Sequence, residues 1–276
     1  MTDRYAVIGN PVAHSRSPAI HAQFARQTGQ DLVYERLLAP LDGFVAAVEA
    51  FRAAGGRGLN VTVPFKLEAF DWCTRRSPRA AAAGAVNTLR FDVDGVFGDN
   101  TDGVGLVRDI DGRLGFALAG ARVLMLGAGG AARGVLAPLL EAGVAQLTIA
   151  NRTVARAQAL AALAADPRVQ ACGFDALAPD QRFDLVLNAT SAGLDDAAPD
   201  IDSGLYAGLG LAYDMVYGPR PTAFMRAAQA AGCARVADGL GMLVEQAAQS
   251  FELWRGVRPL TAPVYAALRA ELDAQA

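Results

Sequence analysis

From Tyr5 onward, short apolar runs closed by turn residues alternate with alanine-rich stretches of helical character, and this alternation restricts the chain to an α/β fold built from parallel βαβ units. Tyr5 to Gly9, Leu32 to Leu38 and Leu59 to Val63 read as strands, separated by helices over Pro18 to Gln27, with Ser17 as N-cap, and Leu41 to Ala54. Asp94-Gly95 is a hairpin turn pair between Ala85 to Phe91 and Val96 to Gly98. A helical stretch from Val104 to Leu114 then leads to a second series. Its strands are Val123 to Leu126, Gln146 to Ala150, Phe183 to Asn188, Leu211 to Val216 and Arg235 to Val236, and its helices are Ala131 to Glu141, Val154 to Ala165 and Pro221 to Ala231. A chain of 276 residues exceeds what one core comfortably fills, so two lobes are expected. They divide as residues 1–102, completed by C-terminal helices within 239–276, and a doubly wound Rossmann-type domain over 103–238.

Composition narrows the function. Net charge is −3, which leaves no basic footprint for nucleic acid or an anionic membrane. No apolar run approaches the roughly 20 residues of a membrane span, and the N-terminus passes straight into a strand without an apolar signal region. Cys73, Cys172 and Cys233 are widely spaced, without metal-ligand pattern, so no metal and a reduced, cytoplasmic setting are expected.

Gly127-Ala128-Gly129-Gly130-Ala131-Ala132 follows a strand and opens a helix, the context of a dinucleotide fingerprint. The first glycine makes the tight turn, the second admits a pyrophosphate to the backbone, and Ala132 lets helix and strand pack closely. The next strand ends in Asn151-Arg152-Thr153, with Arg156 one turn on. An acidic residue there would hold the ribose of NAD; two guanidinium groups suit a 2′-phosphate instead, so NADP is the expected cofactor.

Of 25 Lys plus Arg, one is lysine, Lys66. In a chain that otherwise uses arginine for positive charge, the exception suits either chance survival of one lysine or a place where a guanidinium, which does not release its proton, fails; its neighbourhood favours the second. Lys66 ends the run Asn60-Val61-Thr62-Val63-Pro64-Phe65-Lys66, where alternation puts Asn60 and Thr62 on one strand face. Asp102 is a partner able to hold the lysine in place. His14-Ser15-Arg16-Ser17-Pro18 sets two hydroxyls before a helix start, suited either to a carboxylate or to ordinary capping.

Together with Gly84-Ala85-Val86-Asn87-Thr88, Gly98-Asp99-Asn100-Thr101-Asp102-Gly103, Asn188-Ala189-Thr190-Ser191, Asp214-Met215-Val216-Tyr217 and the run from Asp238 to Gln246, these motifs resemble, in order and spacing, the shikimate dehydrogenase family. The resemblance implies reversible reduction of 3-dehydroshikimate to shikimate with NADPH, in the chorismate route to aromatic amino acids. It implies Lys66 and Asp102 as the catalytic pair, and Ser15 and Ser17 as holders of the substrate carboxylate with Tyr217 nearby. Asn60, Thr62, Asn87 and Gln246 match groups on the ring hydroxyls. On the cofactor side it implies Gly127, Ala128, Gly129, Gly130, Ala131, Asn151, Arg152, Thr153, Arg156, Thr190, Ser191, Met215 and Gly239. A small-molecule substrate and a monomer or homodimer follow. Competing expectations are a quinate/shikimate dehydrogenase using NAD and a non-catalytic NADP-binding sensor.

Overall fold

A computed structural model describes residues 2–190 and 196–276, which divide into two compact units, the first 1–105 with 244–264 and the second 106–243 with 265–276.

The first unit contains β1 (Asp3–Gly9), α1 (Ser17–Thr28), β2 (Leu32–Leu38), α2 (Phe44–Ala53), β3 (Gly56–Val61), α3 (Lys66–Trp72), β4 (Arg75–Arg76), α4 (Pro78–Ala83), β5 (Thr88–Asp92), β6 (Gly95–Asp99) and the start of α5 (Asp102–Val107). Its sheet runs β2-β1-β3-β5-β6-β4, with β1 parallel to β2 and β3, and the β5–β6 hairpin antiparallel around Asp94-Gly95. Ile8, Leu59, Val61 and Leu89 on the strands pack with Phe44, Val48 and Phe65 into one buried core. Arg75 and Arg76 form a short edge strand, where Arg75 pairs with Asp92 and Asp94.

Two local expectations are corrected here. Ser17 is not the N-cap of α1: Arg16 occupies that position, without a side-chain capping bond, and Ser17 is the first helical residue. Strand β3 stops at Val61, and the backbone turns from the Thr62 carbonyl, which accepts from Phe65 N at 3.0 Å, so Lys66 starts helix α3 instead of trailing a strand.

The second unit continues with β7 (Arg122–Leu126), α6 (Gly130–Glu141), β8 (Gln146–Ala150), α7 (Val154–Ala164), β9 (Val169–Cys172), β10 (Leu185–Asn188), β11 (Leu211–Asp214), α8 (Ala223–Ala230) and β12 (Val236–Ala237). The sheet order is β12-β11-β10-β7-β8-β9, every pairing parallel. The order reverses beside β7, which places the turn after β7 at the switch point where such sheets take ligands. Strand β9 carries no long apolar run (Val-Gln-Ala-Cys) and was not legible in the sequence.

The C-terminal helices are α9 (Leu240–Arg255) and α10 (Ala262–Asp273). Both were expected with the first lobe. Val244 to Val264 does group there: Trp254 Nε1 donates to Leu89 O at 3.0 Å over Gly58, where any Cβ would meet the indole at 2.5 Å. Tyr265 to Ala276 groups with the second unit instead. Arg269 donates to Asp238 Oδ2 at 2.5 Å and to Gly218 O at 3.2 Å, and the Arg113 guanidinium lies 4.1 Å from the Tyr265 ring centre.

His21 of α1 is fully buried among the rings of Tyr34, Phe24, Phe251 and Trp254, stacked on Tyr34 at 4.1 Å. Burial disfavours its charged form and holds its pKa down at about 3, against 6.5 when solvated. The unfolded chain therefore binds a proton in this window that the folded chain does not, so stability falls as pH drops from 6.5 toward 3. The expected contribution is a loss of about 1.4 kcal/mol per pH unit inside that window. Chemical denaturation of wild type and His21→Phe at pH 7, 6 and 5 measures it as the difference between the two curves; parallel curves would refute it.

Candidate active site

The first unit gathers most of the expected substrate groups at the C-terminal ends of β1 and β3. Gly9 ends β1 against Thr62, whose methyl group occupies the space a Cβ on Gly9 would need. Thr62 N donates to Ile8 O at 2.9 Å, and Lys66 O accepts from Val86 N at 2.9 Å, so the backbone on either side of the Pro64 turn is tied to the sheet and to the segment leading into β5. From the first turn of α3, Lys66 Nζ donates to Asp102 Oδ2 at 2.6 Å. The Lys66 side chain is 29% exposed and that of Asp102 13%, so the pair is sheltered yet open to a ligand.

Asp102 is gripped from its other oxygen as well. Asn87 Nδ2 donates to Asp102 Oδ1 at 2.7 Å and to Thr101 Oγ1 at 3.0 Å, while Asn87 Oδ1 accepts from Thr101 N at 2.9 Å. Behind them Asp99 is almost wholly buried, accepting from Arg79 and from Ser77 Oγ at 2.5 Å, and from Asn100 N at 2.8 Å. A buried carboxylate satisfied on both oxygens fixes the turn that delivers Asp102. Gln246 reaches this cluster from α9, its Oε1 lying 3.3 Å from Thr101 Oγ1.

Asn60 is more deeply committed than expected. Its Oδ1 accepts from Tyr34 OH at 2.7 Å, and its Nδ2 donates to Ser250 Oγ at 2.9 Å and Thr88 Oγ1 at 3.1 Å. Both amide hydrogens thus have partners within the protein, leaving one carbonyl lone pair for a ligand. Tyr34, Thr88, Thr101 and Ser250 complete this network; Thr88 and Thr101 lie in motifs the sequence displays, whereas nothing in the sequence marks Tyr34 and Ser250. They come from β2, β5, the turn before α5 and α9, and no local motif links them.

Ser15 and Ser17 are adjacent, as expected. Ser15 Oγ donates to Ser17 Oγ at 3.2 Å and accepts from Ser17 N at 3.3 Å. Helix α1 has no acidic residue in its first turn, so its N-terminus presents partial positive charge to the hydroxyl pair. His14 is exposed beside them. Tyr217 follows β11 in the second unit, half-buried, and is the one expected substrate group outside the first unit.

In the second unit, Gly127 has φ +105°, and a Cβ there would stand 3.0 Å from Ala189 O, so the turn after β7 requires glycine. Beyond Ala128, Gly129 and Gly130 are exposed with no atom within 4 Å of where a Cβ would lie, and Ala131 is exposed beside them. Ala132 is fully buried against the sheet. No side chain caps α6 at Gly129, leaving first-turn N–H groups facing open space. That is an anion cradle, and it fits the pyrophosphate of a dinucleotide.

One strand over, Asn151 Nδ2 donates to Thr153 O at 2.8 Å, shaping the entry to α7. Arg152 and Arg156 are exposed at that helix start, without an ion-pair partner among the described residues. Two unneutralised cations at a helix N-terminus are unfavourable unless an anion joins them, which fits a 2′-phosphate.

The ends of β10, β11 and β12 also converge. Thr190 N and Oγ1 donate to Asn188 Oδ1 at 3.1 and 2.7 Å, and Asn188 Nδ2 donates to Asp214 Oδ1 at 3.1 Å. Burial pushes the Asp214 carboxyl above its ordinary range, against hydrogen bonds from Thr222, Val216 N and Asn188. Met215 N donates to Asn188 O at 3.0 Å, and Gly239 lies so close to Met215 O that no side chain fits there. Ser191 falls outside the described residues.

Comparison with known proteins places these features in a family. Residues 7–89 match the model of the shikimate dehydrogenase substrate binding domain, 111–194 that of shikimate / quinate 5-dehydrogenase, and 239–269 that of the shikimate 5'-dehydrogenase C-terminal domain. A relative named shikimate dehydrogenase (NADP(+)), from Aromatoleum aromaticum, is 65% identical over 98% of both chains. Among solved structures, an Ael1 enzyme from Pseudomonas putida is 48% identical, with TM-score 0.94 over 97% of this chain and 98% of that one. A shikimate 5-dehydrogenase from Thermus thermophilus, in complex with NADP(H) and shikimate, is 38% identical with TM-score 0.88 over 98% and 99%. No helix among the described residues is long and apolar enough to cross a membrane. Matched in order along its length and at high identity nearly end to end, the chain belongs to the shikimate dehydrogenase family and is an NADP-dependent oxidoreductase.

Proposed function

We propose that Lys66 and Asp102 are the residues through which this shikimate dehydrogenase carries out the reversible reduction of 3-dehydroshikimate to shikimate. The observation that carries the assignment is the Lys66–Asp102 contact at 2.6 Å, with the second carboxylate oxygen held by Asn87. NADPH, when bound, supplies the hydride. As negative charge grows on the substrate carbonyl oxygen, Lys66 Nζ stabilises it and donates a proton. Asp102 Oδ2 orients that ammonium, and Asn87 keeps Asp102 from rotating away. In the oxidative direction Nζ accepts the hydroxyl proton, a step open to an amine and closed to a guanidinium.

Around this pair, Ser15 and Ser17, with Tyr217, hold the substrate carboxylate; Thr62, Asn87, Gln246 and the remaining lone pair of Asn60 Oδ1 take the ring hydroxyls. Gly127, Ala128, Gly129, Gly130 and Ala131 receive the pyrophosphate. Asn151, Arg152, Thr153 and Arg156 take the 2′-phosphate end, and Thr190, Ser191, Met215 and Gly239 the nicotinamide end. The first unit is then the substrate-binding and catalytic domain and the second the NADP-binding domain. We place the enzyme in the cytoplasm, where its three free cysteines stay reduced, as a monomer or homodimer that light scattering distinguishes.

Initial rates with shikimate and with quinate, each with NADP⁺ and NAD⁺, test the reading. Turnover concentrated in the shikimate and NADP⁺ combination is expected. Comparable rates with quinate or NAD⁺ would overturn the assigned hydroxyl and 2′-phosphate contacts.

A further inference from the structure

Strand β2 lies at the edge of its sheet and sends Tyr34 and Arg36, two residues apart and therefore on one face, toward the groups just described. Tyr34 fixes Asn60. Arg36 does the equivalent for the serine loop: its Nε and Nη2 both donate to Ser15 O, at 3.1 and 2.6 Å. The neighbouring carboxylate, Glu35, is taken by Arg4 at 2.6 Å. Arg36 forms no ion pair among the described residues, so its charge stands unneutralised at the carbonyl of Ser15, whose hydroxyl contacts that of Ser17.

We propose that Arg36 is a positioning residue for the substrate carboxylate: it locks the Ser15 carbonyl and places a positive charge beside two neutral hydroxyl donors, so that an anion is preferred over a neutral group of the same shape. The proposal rests on the assignment of Ser15 and Ser17 to the carboxylate. Two hydroxyls alone replace the hydration of a carboxylate poorly, since neither carries charge. A nearby cation offsets that loss, and charge-assisted contacts are stronger than neutral ones. Because Arg36 is exposed, its effect is screened by salt.

The test compares shikimate with its methyl ester, which keeps the ring hydroxyls and lacks the charge, in wild type, Arg36→Gln, Arg36→Lys and Ser17→Ala. Arg36→Gln is expected to raise KM for shikimate about tenfold, leaving kcat and the KM for the ester within about twofold. Arg36→Lys, which keeps the charge but not the fork, restores most of the acid-over-ester preference. Added salt erodes that preference in wild type and not in Arg36→Gln. An acid-to-ester KM ratio in Arg36→Gln equal to that of wild type overturns the proposal, whether both constants rise together or neither moves. Ser17→Ala separates the two ways of failing. If it lowers the preference while Arg36→Gln does not, the carboxylate assignment stands and the role of Arg36 falls. If neither variant changes the preference, the carboxylate is held elsewhere.

Discussion

Lys66→Arg is expected to lower kcat by about a thousandfold in both directions, within the range general acid–base catalysis contributes. The substitution keeps the positive charge and extends the donor set, so the contact with Asp102 survives as a fork, and with the side chain 29% exposed there is room for the larger head. What disappears is the exchangeable proton. A guanidinium stabilises an oxyanion but neither yields nor takes up a proton in the cycle. KM for shikimate is expected to move by less than about fivefold, because binding is shared with the hydroxyl-bearing residues. Steady-state rates and a thermal melt measure both aspects. A folded Lys66→Arg enzyme with near-native kcat would remove Lys66 from the proton path and leave it a purely electrostatic role.

Arg152→Gln with Arg156→Gln is the second large effect. Loss of two charge-assisted contacts to a dianionic phosphate, each about 1.5–3 kcal/mol at full strength and weaker at an exposed helix start, lowers kcat/KM for NADP⁺ by about a hundredfold. NAD⁺ lacks the 2′-phosphate, so its kcat/KM is expected to stay within about threefold, and the ratio of the two constants isolates these side chains from the rest of the cradle. Equal losses with both cofactors would show that the arginines support α7 and do not read the phosphate.

The two predictions draw on different kinds of legibility. Arg152 and Arg156 sit within five residues of each other after a recognisable strand, and Gly127 to Ala132 form one turn. Such a site is made by contiguous backbone, so its residue types and spacing are visible in the chain. The lone lysine was visible through composition. Its partner was found by motif, but the reason Asp102 stays in place was not: Asn87 on one oxygen, and the Arg79–Asp99–Ser77 cluster behind the turn, join segments that only the sheet brings together.

The misses share that cause. Helix α10 was expected beside α9 because the family match of Gln246 brings the C-terminal helices to the first lobe; contacts of Arg269 with Asp238 and of Arg113 with Tyr265 tie it to the second unit instead. Ser17 read as a cap because its type and its place before Pro18 suit one, yet the helix begins one residue earlier, which leaves both serine side chains to each other.

The sequence by itself determined the α/β class, and it displayed the dinucleotide-type turn, the two arginines proposed for the 2′-phosphate and the single lysine proposed to carry the proton, because each is written in local periodicity, spacing or residue type. Only the tertiary structure decided how firmly Lys66 is held, which partners take the amide hydrogens of Asn60, and which cation stands by Ser15. Those are questions of which side chains from distant segments fill one another's hydrogen-bonding capacity, and that is settled by packing.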